Sequence, residues 1–169
     1  MMVTIGQGLL MELSHEVHNI KSHFERLPSE KFDFKPDPKS MPLGILSAHA
    51  VESLGWLPQM VGQDVFNFDP TTYVPPHAED VQELLALTEE NLSTAERELQ
   101  AISDETLMEN WKMMIGDEVV VEMPKAVVVR SFCISHLIHH RGQLTVYMRL
   151  LGIPVPPTYG PTADEPAFN

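Results

Sequence analysis

Two histidines in the segment SHLIHHRGQL, His136 and His140, stand four positions apart. On a helix that spacing stacks the side chains on one face, so both imidazoles can reach a single ion about 2.0 to 2.1 Å from each ring nitrogen. His139 is turned about 60° from the line joining them, given roughly 100° of rotation per residue, and reads as a supporting group or a solvated one. A third ligand must come from another helix. His49 is the candidate, because it lies in the apolar stretch GILSAHAVES, where a bare imidazole needs a polar partner. Three neutral imidazoles leave the charge of a divalent ion in place and leave coordination positions open for water or substrate, as catalytic sites do. Glu52, three residues after His49, reads as a general base, as a carboxylate supporting the ligand, or as a solvated side chain. By itself a pair four apart is a weak motif, and His49 alone reads equally as a hydrogen-bonded, half-buried histidine.

The remaining reactive side chains have plainer readings. Cys133, one turn before His136, is expected to be a small buried hydrophobe. His15, His18, His23 and His77 are expected at the surface. Trp56, Trp111 and the ten methionines read as core or pocket wall.

Four helical patterns must position these groups. Ile5, Leu9, Leu13, Val17, Ile20, Phe24 and Leu27 step by three and four, which predicts a helix from about Thr4 to Leu27, stopped by Pro28. The segment SEKFDFKPDPKS has no helical period and reads as a loop. A second helix is expected from an N-cap at Ser40, burying Leu43, Leu46, Ala50, Leu54 and Leu57, with a kink or an early end at Gly55 and Pro58. Gly62 to Pro76 reads as a long connection. A third helix spans about Ala78 to Ile102. The segment ENWKMMIGDEVVVEMP, with Gly-Asp between two β-prone runs, predicts a short hairpin that must pack on the helices. The last helix is expected from near Pro124 to Leu151, ended by Gly152 and Pro154, and the proline-rich tail is expected to be non-helical. The fold expected is all-α, one domain over residues 1–169, a helical bundle with long crossovers and a small hairpin before the last helix.

Composition narrows the partners. The chain has 169 residues, 43% hydrophobic and 21% charged, which is ordinary for a packed protein. A formal net charge of -13 and a pI near 4.9 repel phosphate backbones and anionic membranes, so neither nucleic acid nor membrane is expected as a partner. One cysteine permits no internal disulfide, the N-terminal residues do not read as a signal peptide, and no stretch approaches about 18 uninterrupted apolar residues. The expected location is the cytoplasm.

Three passages together carry a family likeness: PKSMPLGILSAHAVES with His49, HLIHHRGQLTVYMRLLG with His136 and His140, and the closing VPPTYGPTADE. In order and spacing they resemble the DinB superfamily, which includes YfiT-like metal-dependent hydrolases and thiol S-transferases. The resemblance implies an up-down-down-up four-helix bundle with a three-histidine site for nickel, zinc or a similar divalent ion, often in a homodimer. The family's ligands fall on His49, His136 and His140. The leading expectation is an enzyme in which such an ion activates a water or a low-molecular-weight thiol to attack a small electrophilic substrate. The competing expectation is a non-enzymatic metal-binding or stress-associated bundle in which the ion ties the second and last helices together.

Overall fold

The computed structural model describes residues 2–166. Its long helices are α1 (Ile5–Phe24), α2 (Leu43–Gly55), α4 (Val81–Ala101) and α7 (His136–Leu150), with short helices α3 (Leu57–Val61), α5 (Asp104–Leu107) and α6 (Lys125–Val128). Three strands, β1 (Val65–Asn67), β2 (Asn110–Ile115) and β3 (Glu118–Pro124), form one sheet in the order β1-β2-β3. The all-α expectation is thereby corrected to a mostly helical fold with a small sheet. The hairpin is present, its Gly116-Asp117 loop relying on a positive φ of 58° at Gly116. What local pattern did not reveal is β1, inside the segment read as a long connection. It pairs in parallel with β2, from Val65 opposite Lys112 to Asn67 opposite Met114, across more than forty residues of chain.

Helix boundaries follow local chemistry. At α1, Thr4 and Gln7 form a reciprocal capping box, which satisfies backbone donors that a helix start would leave bare. The stripe predicted for this helix is buried from Leu13 to Leu27, but Ile5 at its first turn is exposed. The N-cap expected at Ser40 is corrected: α2 begins at Leu43 with Pro42 preceding it. The residue before a proline is biased away from helical geometry, and that holds Met41 out of the helix. Gly55 ends α2 and Pro58 takes the first turn of α3, the break expected there. Between α6 and α7, residues Val129–Ser135 form a π-helical stretch, so the predicted last helix is one rod with a widened middle. Its end at Gly152 uses a positive φ of 71°.

The four long helices enclose one core. α1 packs on α4 and α7, and α2 packs on the same two helices. Leu13, Ile20 and Phe24 of α1 meet Leu43 and Leu54 of α2, Leu84 and Leu99 of α4, and Leu137 and Leu144 of α7 in a single buried cluster. The non-helical tail lies back on this body, where Val155 is buried and Arg26 pairs with Glu165 through two hydrogen bonds. Among the described residues no helix is long and apolar enough to cross a membrane.

Candidate metal centre

α2 and the helical rod that ends in α7 run antiparallel, as three contacts along them and at the entry to α2 show. Tyr147 donates to the Met41 carbonyl at 3.0 Å, His49 meets His136 and His140, and Cys133 donates to the Ser53 carbonyl at 3.1 Å. Burial of Leu46, Ala50 and Leu54 fixes the roll of α2. His49 then emerges on the seam between the helices, where α7 presents His136 and His140 on one face. The ring centroids are 4.9 Å apart for His49 and His136, 4.8 Å for His49 and His140, and 4.3 Å for His136 and His140. One ring nitrogen from each lies within 4.8 Å of the others.

The hydrogen bonds decide which nitrogens are free. Glu52 Oε2 accepts from His49 Nδ1–H at 2.8 Å, and from the Tyr73 hydroxyl at 2.8 Å. His140 Nδ1–H donates to Gln143 Oε1 at 2.7 Å. With those Nδ1 atoms protonated, the Nε2 atoms of His49 and His140 carry lone pairs. His140 Nε2 faces His136 Nε2 at 3.0 Å, while His136 Nδ1 is buried with no partner among the described residues. Two lone pairs cannot face each other at that distance without a proton or a cation between them. Nitrogens about 2.0 to 2.1 Å from one ion stand about 3 Å apart when they occupy adjacent corners. The observed spacing fits an ion on the chemistry of its own donors.

Burial keeps His136 and His140 neutral. Desolvation, then the facing His140, His49 and His139 rings, lowers His136 to about 4. Desolvation likewise lowers His140, against the bond to Gln143. Neutral imidazole is the form that coordinates. Tyr73 is raised, first by burial and then by its bond to Glu52, so its proton stays on the phenol. His49 and Glu52 keep 17% and 13% of their side-chain surface, so the cluster can be reached from solvent. A groove of about 440 Å³, lined by Lys39, Met41, Leu46, His140, Gln143 and Tyr147, opens beside it.

The sequence-predicted residues divide cleanly. His49, His136 and His140 come together, and Glu52 stands behind His49 with its carboxylate held by two donors. His139 is exposed, its ring 4.9 Å from that of His140. Cys133 is wholly buried, hydrogen-bonded to Ser53, and desolvation pushes its thiol up to about 12, so it is an inert core group. His15, His18 and His77 are exposed as expected. His23 is not: it is fully buried, its Nδ1–H donating to the Asn19 carbonyl at 2.8 Å. Sequence reasoning missed Tyr73 and Gln143. Gln143 was visible three residues after His140, whereas Tyr73 is brought in by the β1 crossover and has no local signal.

A profile described as the DinB family matches residues 1–167. The chain is 43% identical over 63 residues to the uncharacterized protein YrdA of Bacillus subtilis (strain 168), a match covering 37% of this chain and only 34%, about a third, of that relative's length. Its fold is similar to that of a DinB-like protein from Bacillus cereus ATCC 10987, with a TM-score of 0.72 at 22% identity, covering 94% of this chain and 100% of the other. A DinB-like protein of Bacillus subtilis, YjoA, is similar with a TM-score of 0.69 at 18% identity, covering 90% and 96% respectively.

Proposed function

We propose, from the premise that the chain belongs to the DinB family, that His49, His136 and His140 hold one divalent metal ion, nickel or zinc, in an enzyme acting on a small electrophilic substrate. The reaction is of the thiol S-transferase or hydrolase type. A bound ion supplies Lewis acidity there, lowering the pKa of a water or a low-molecular-weight thiol so that it attacks near neutral pH. The observation that carries the reading is the convergence of the three rings, with the Nε2 atoms of His140 and His136 facing at 3.0 Å.

The protein's own groups have separate tasks. Glu52 fixes the tautomer of His49 by accepting a hydrogen bond from its Nδ1–H, which leaves Nε2 with the lone pair. Tyr73 holds the same carboxylate oxygen. Gln143 sets the tautomer of His140 in the same way. The groove beside His140 offers room for a substrate, and Lys39 on its rim favours an anionic group there. The exposure retained at His49 supports a site with an exchangeable position, and so favours an enzyme over an ion that merely ties α2 to α7. We read the helices as an up-down-down-up four-helix bundle forming one domain, supported by the shared core and by the similar fold of a DinB-like protein, and we propose that it works in the cytoplasm as a homodimer.

Elemental analysis of protein purified without a histidine tag tests the proposal, alongside His49→Ala and His140→Ala. About one metal per chain in the parent, lost in both variants, is the expected result. Full occupancy in either variant would refute the ligand set. Turnover of an electrophilic acceptor that depends on added thiol identifies the transferase chemistry, whereas thiol-independent cleavage of an ester or amide identifies the hydrolase.

A further inference from the structure

The imidazoles are not the only side chains that α2 and the last helical rod turn to their shared seam. Trp56 follows His49 by seven residues, two helical turns, and Phe132 precedes His136 by four. Beyond them lies a pocket of about 150 Å³, walled by Trp56, Met60 and Phe132 from the helices and by Phe66, Phe68 and Trp111 from the sheet side. Its accessible wall is wholly apolar. Phe66 stacks on Trp111 with centroids 6.2 Å apart and planes within 16°. The indole N–H of Trp111 is consumed by the Gln59 carbonyl at 2.8 Å, so it has nothing to offer a ligand.

Tyr73 connects this pocket to the imidazoles. Its ring stands 6.5 Å from Trp56 and 5.8 Å from Phe68, while its hydroxyl donates to the carboxylate that holds His49. Tyr73 thus bridges two of the rings that line the pocket and the carboxylate behind His49, and the strand β1 contributes Phe66 to the pocket's lining.

We propose that this pocket binds a neutral aromatic or branched apolar group of the substrate, whose reacting end then lies at the three imidazoles. The placement of the reacting end rests on the metal-site reading above. Size supports the class, since an apolar cavity of about 150 Å³ holds benzene. Chemistry supports it too. An apolar wall with its indole N–H already satisfied gains from apolar surface and penalises any polar group placed on it. No carboxylate lines the pocket to favour a cation.

The test titrates the full chain with toluene, following the two indole N–H signals by heteronuclear NMR, with tetramethylammonium chloride as the cationic comparison. Saturable toluene binding that shifts both indole signals, with no response to tetramethylammonium, is expected. Phe66→Ala and Met113→Lys, at half-buried positions on β1 and β2 that line the pocket outside the helical core, weaken toluene at least tenfold while metal content stays at the parent value. His140→Ala loses metal and keeps toluene. Absence of saturable toluene binding in the parent overturns the proposal, as does a preference for tetramethylammonium, or parent affinity in both pocket variants with circular dichroism unchanged. A parent that binds toluene but holds no metal supports the pocket while overturning the metal reading, so the two failures are distinct.

Discussion

His140 and Arg141 are neighbours in α7, yet they serve buried polar clusters of opposite electrostatic design. Arg141 turns toward α1, where its guanidinium pairs with Glu16; the two residues are 4% and 3% exposed. Tyr159 from the tail closes that cluster, donating to the other Glu16 oxygen at 2.7 Å while its ring lies 4.9 Å beneath the guanidinium. Charge cancels within it and every oxygen of Glu16 is bonded. His140 turns toward α2, where three imidazole rings and the Glu52 carboxylate meet with no Arg or Lys bonded to Glu52 among the described residues. One ring nitrogen there, His136 Nδ1, has no partner. A buried cluster that satisfies itself serves the fold, whereas one that leaves ring nitrogens converging on a common point is prepared for something from outside.

If the α1 cluster is structural, breaking it should have the largest effect on stability in the molecule. Arg141→Met leaves Glu16 buried without its cation and is expected to cost about 3 to 5 kcal/mol, read from the denaturant midpoint. Adding Glu16→Leu should recover most of that loss, because an apolar pair of similar volume can replace a buried ion pair. An unchanged midpoint in the single variant would erase the contrast between the two clusters. His23, on the same face of α1, extends the comparison to pH. Desolvation is the main cause that lowers it to about 4, with Arg141 and Arg26 adding to the effect. The unfolded chain, with the ordinary value near 6.5, binds the extra proton first. Its contribution is therefore complete above about pH 6.5 and is lost as pH falls toward 4, on the order of 3 kcal/mol. Between pH 7 and pH 4.5 the fall in unfolding free energy should be smaller in His23→Leu than in the parent by about that amount, the fall that remains including the share of His136 and His140, which burial also lowers.

The two clusters also differ in how far the sequence disclosed them. The imidazoles were legible because the spacing of His136 and His140 acts within one helix, and because His49 interrupts an apolar run. The stripe of α1 and the buried side of α2 were legible for the same reason, since burial repeats with the helical period. Glu16, Asn19 and His23 follow that period too, at steps of three and four beside Val17, Ile20 and Phe24, and all three are buried. The buried arc of α1 is broad because the helix contacts both α4 and α7, so a single apolar stripe understates it. β1 was beyond reach for a different reason. Three residues carry almost no period, and their partner strand lies far along the chain. The π-helical stretch before His136 leaves no compositional trace, and the late start of α2 was readable only from the Met41-Pro42 dipeptide.

On the α2 side the expected dependence is on metal rather than on packing. Nickel or zinc at a hundred times its dissociation constant should raise the unfolding free energy of the parent by about 2.7 kcal/mol, since an ion bound only by the folded state stabilises it by mass action. His136→Ala should abolish that increment and change the metal-free stability by less than about 1 kcal/mol, because the ring removed already carries an unpartnered buried nitrogen. A metal-free loss as large as that of Arg141→Met would make the imidazole cluster a structural one.

The smallest effect is expected at Glu52, and it separates the two tasks open to that residue. Its Oε2 atom accepts from both His49 and Tyr73 at 2.8 Å, the posture of a carboxylate that orients a ligand rather than one free to take a proton from substrate. Glu52→Gln keeps the shape and an acceptor oxygen but removes the charge, so metal affinity should weaken roughly 10- to 100-fold, the usual cost of losing a ligand's supporting group. Tyr73→Phe removes only one of the two donors to that oxygen and should weaken affinity less than Glu52→Gln does. A competition titration with a chelating dye measures both variants. A general base would behave otherwise: Glu52→Gln would then bind metal like the parent and lose turnover at saturating substrate, and the Tyr73 variant would leave affinity untouched.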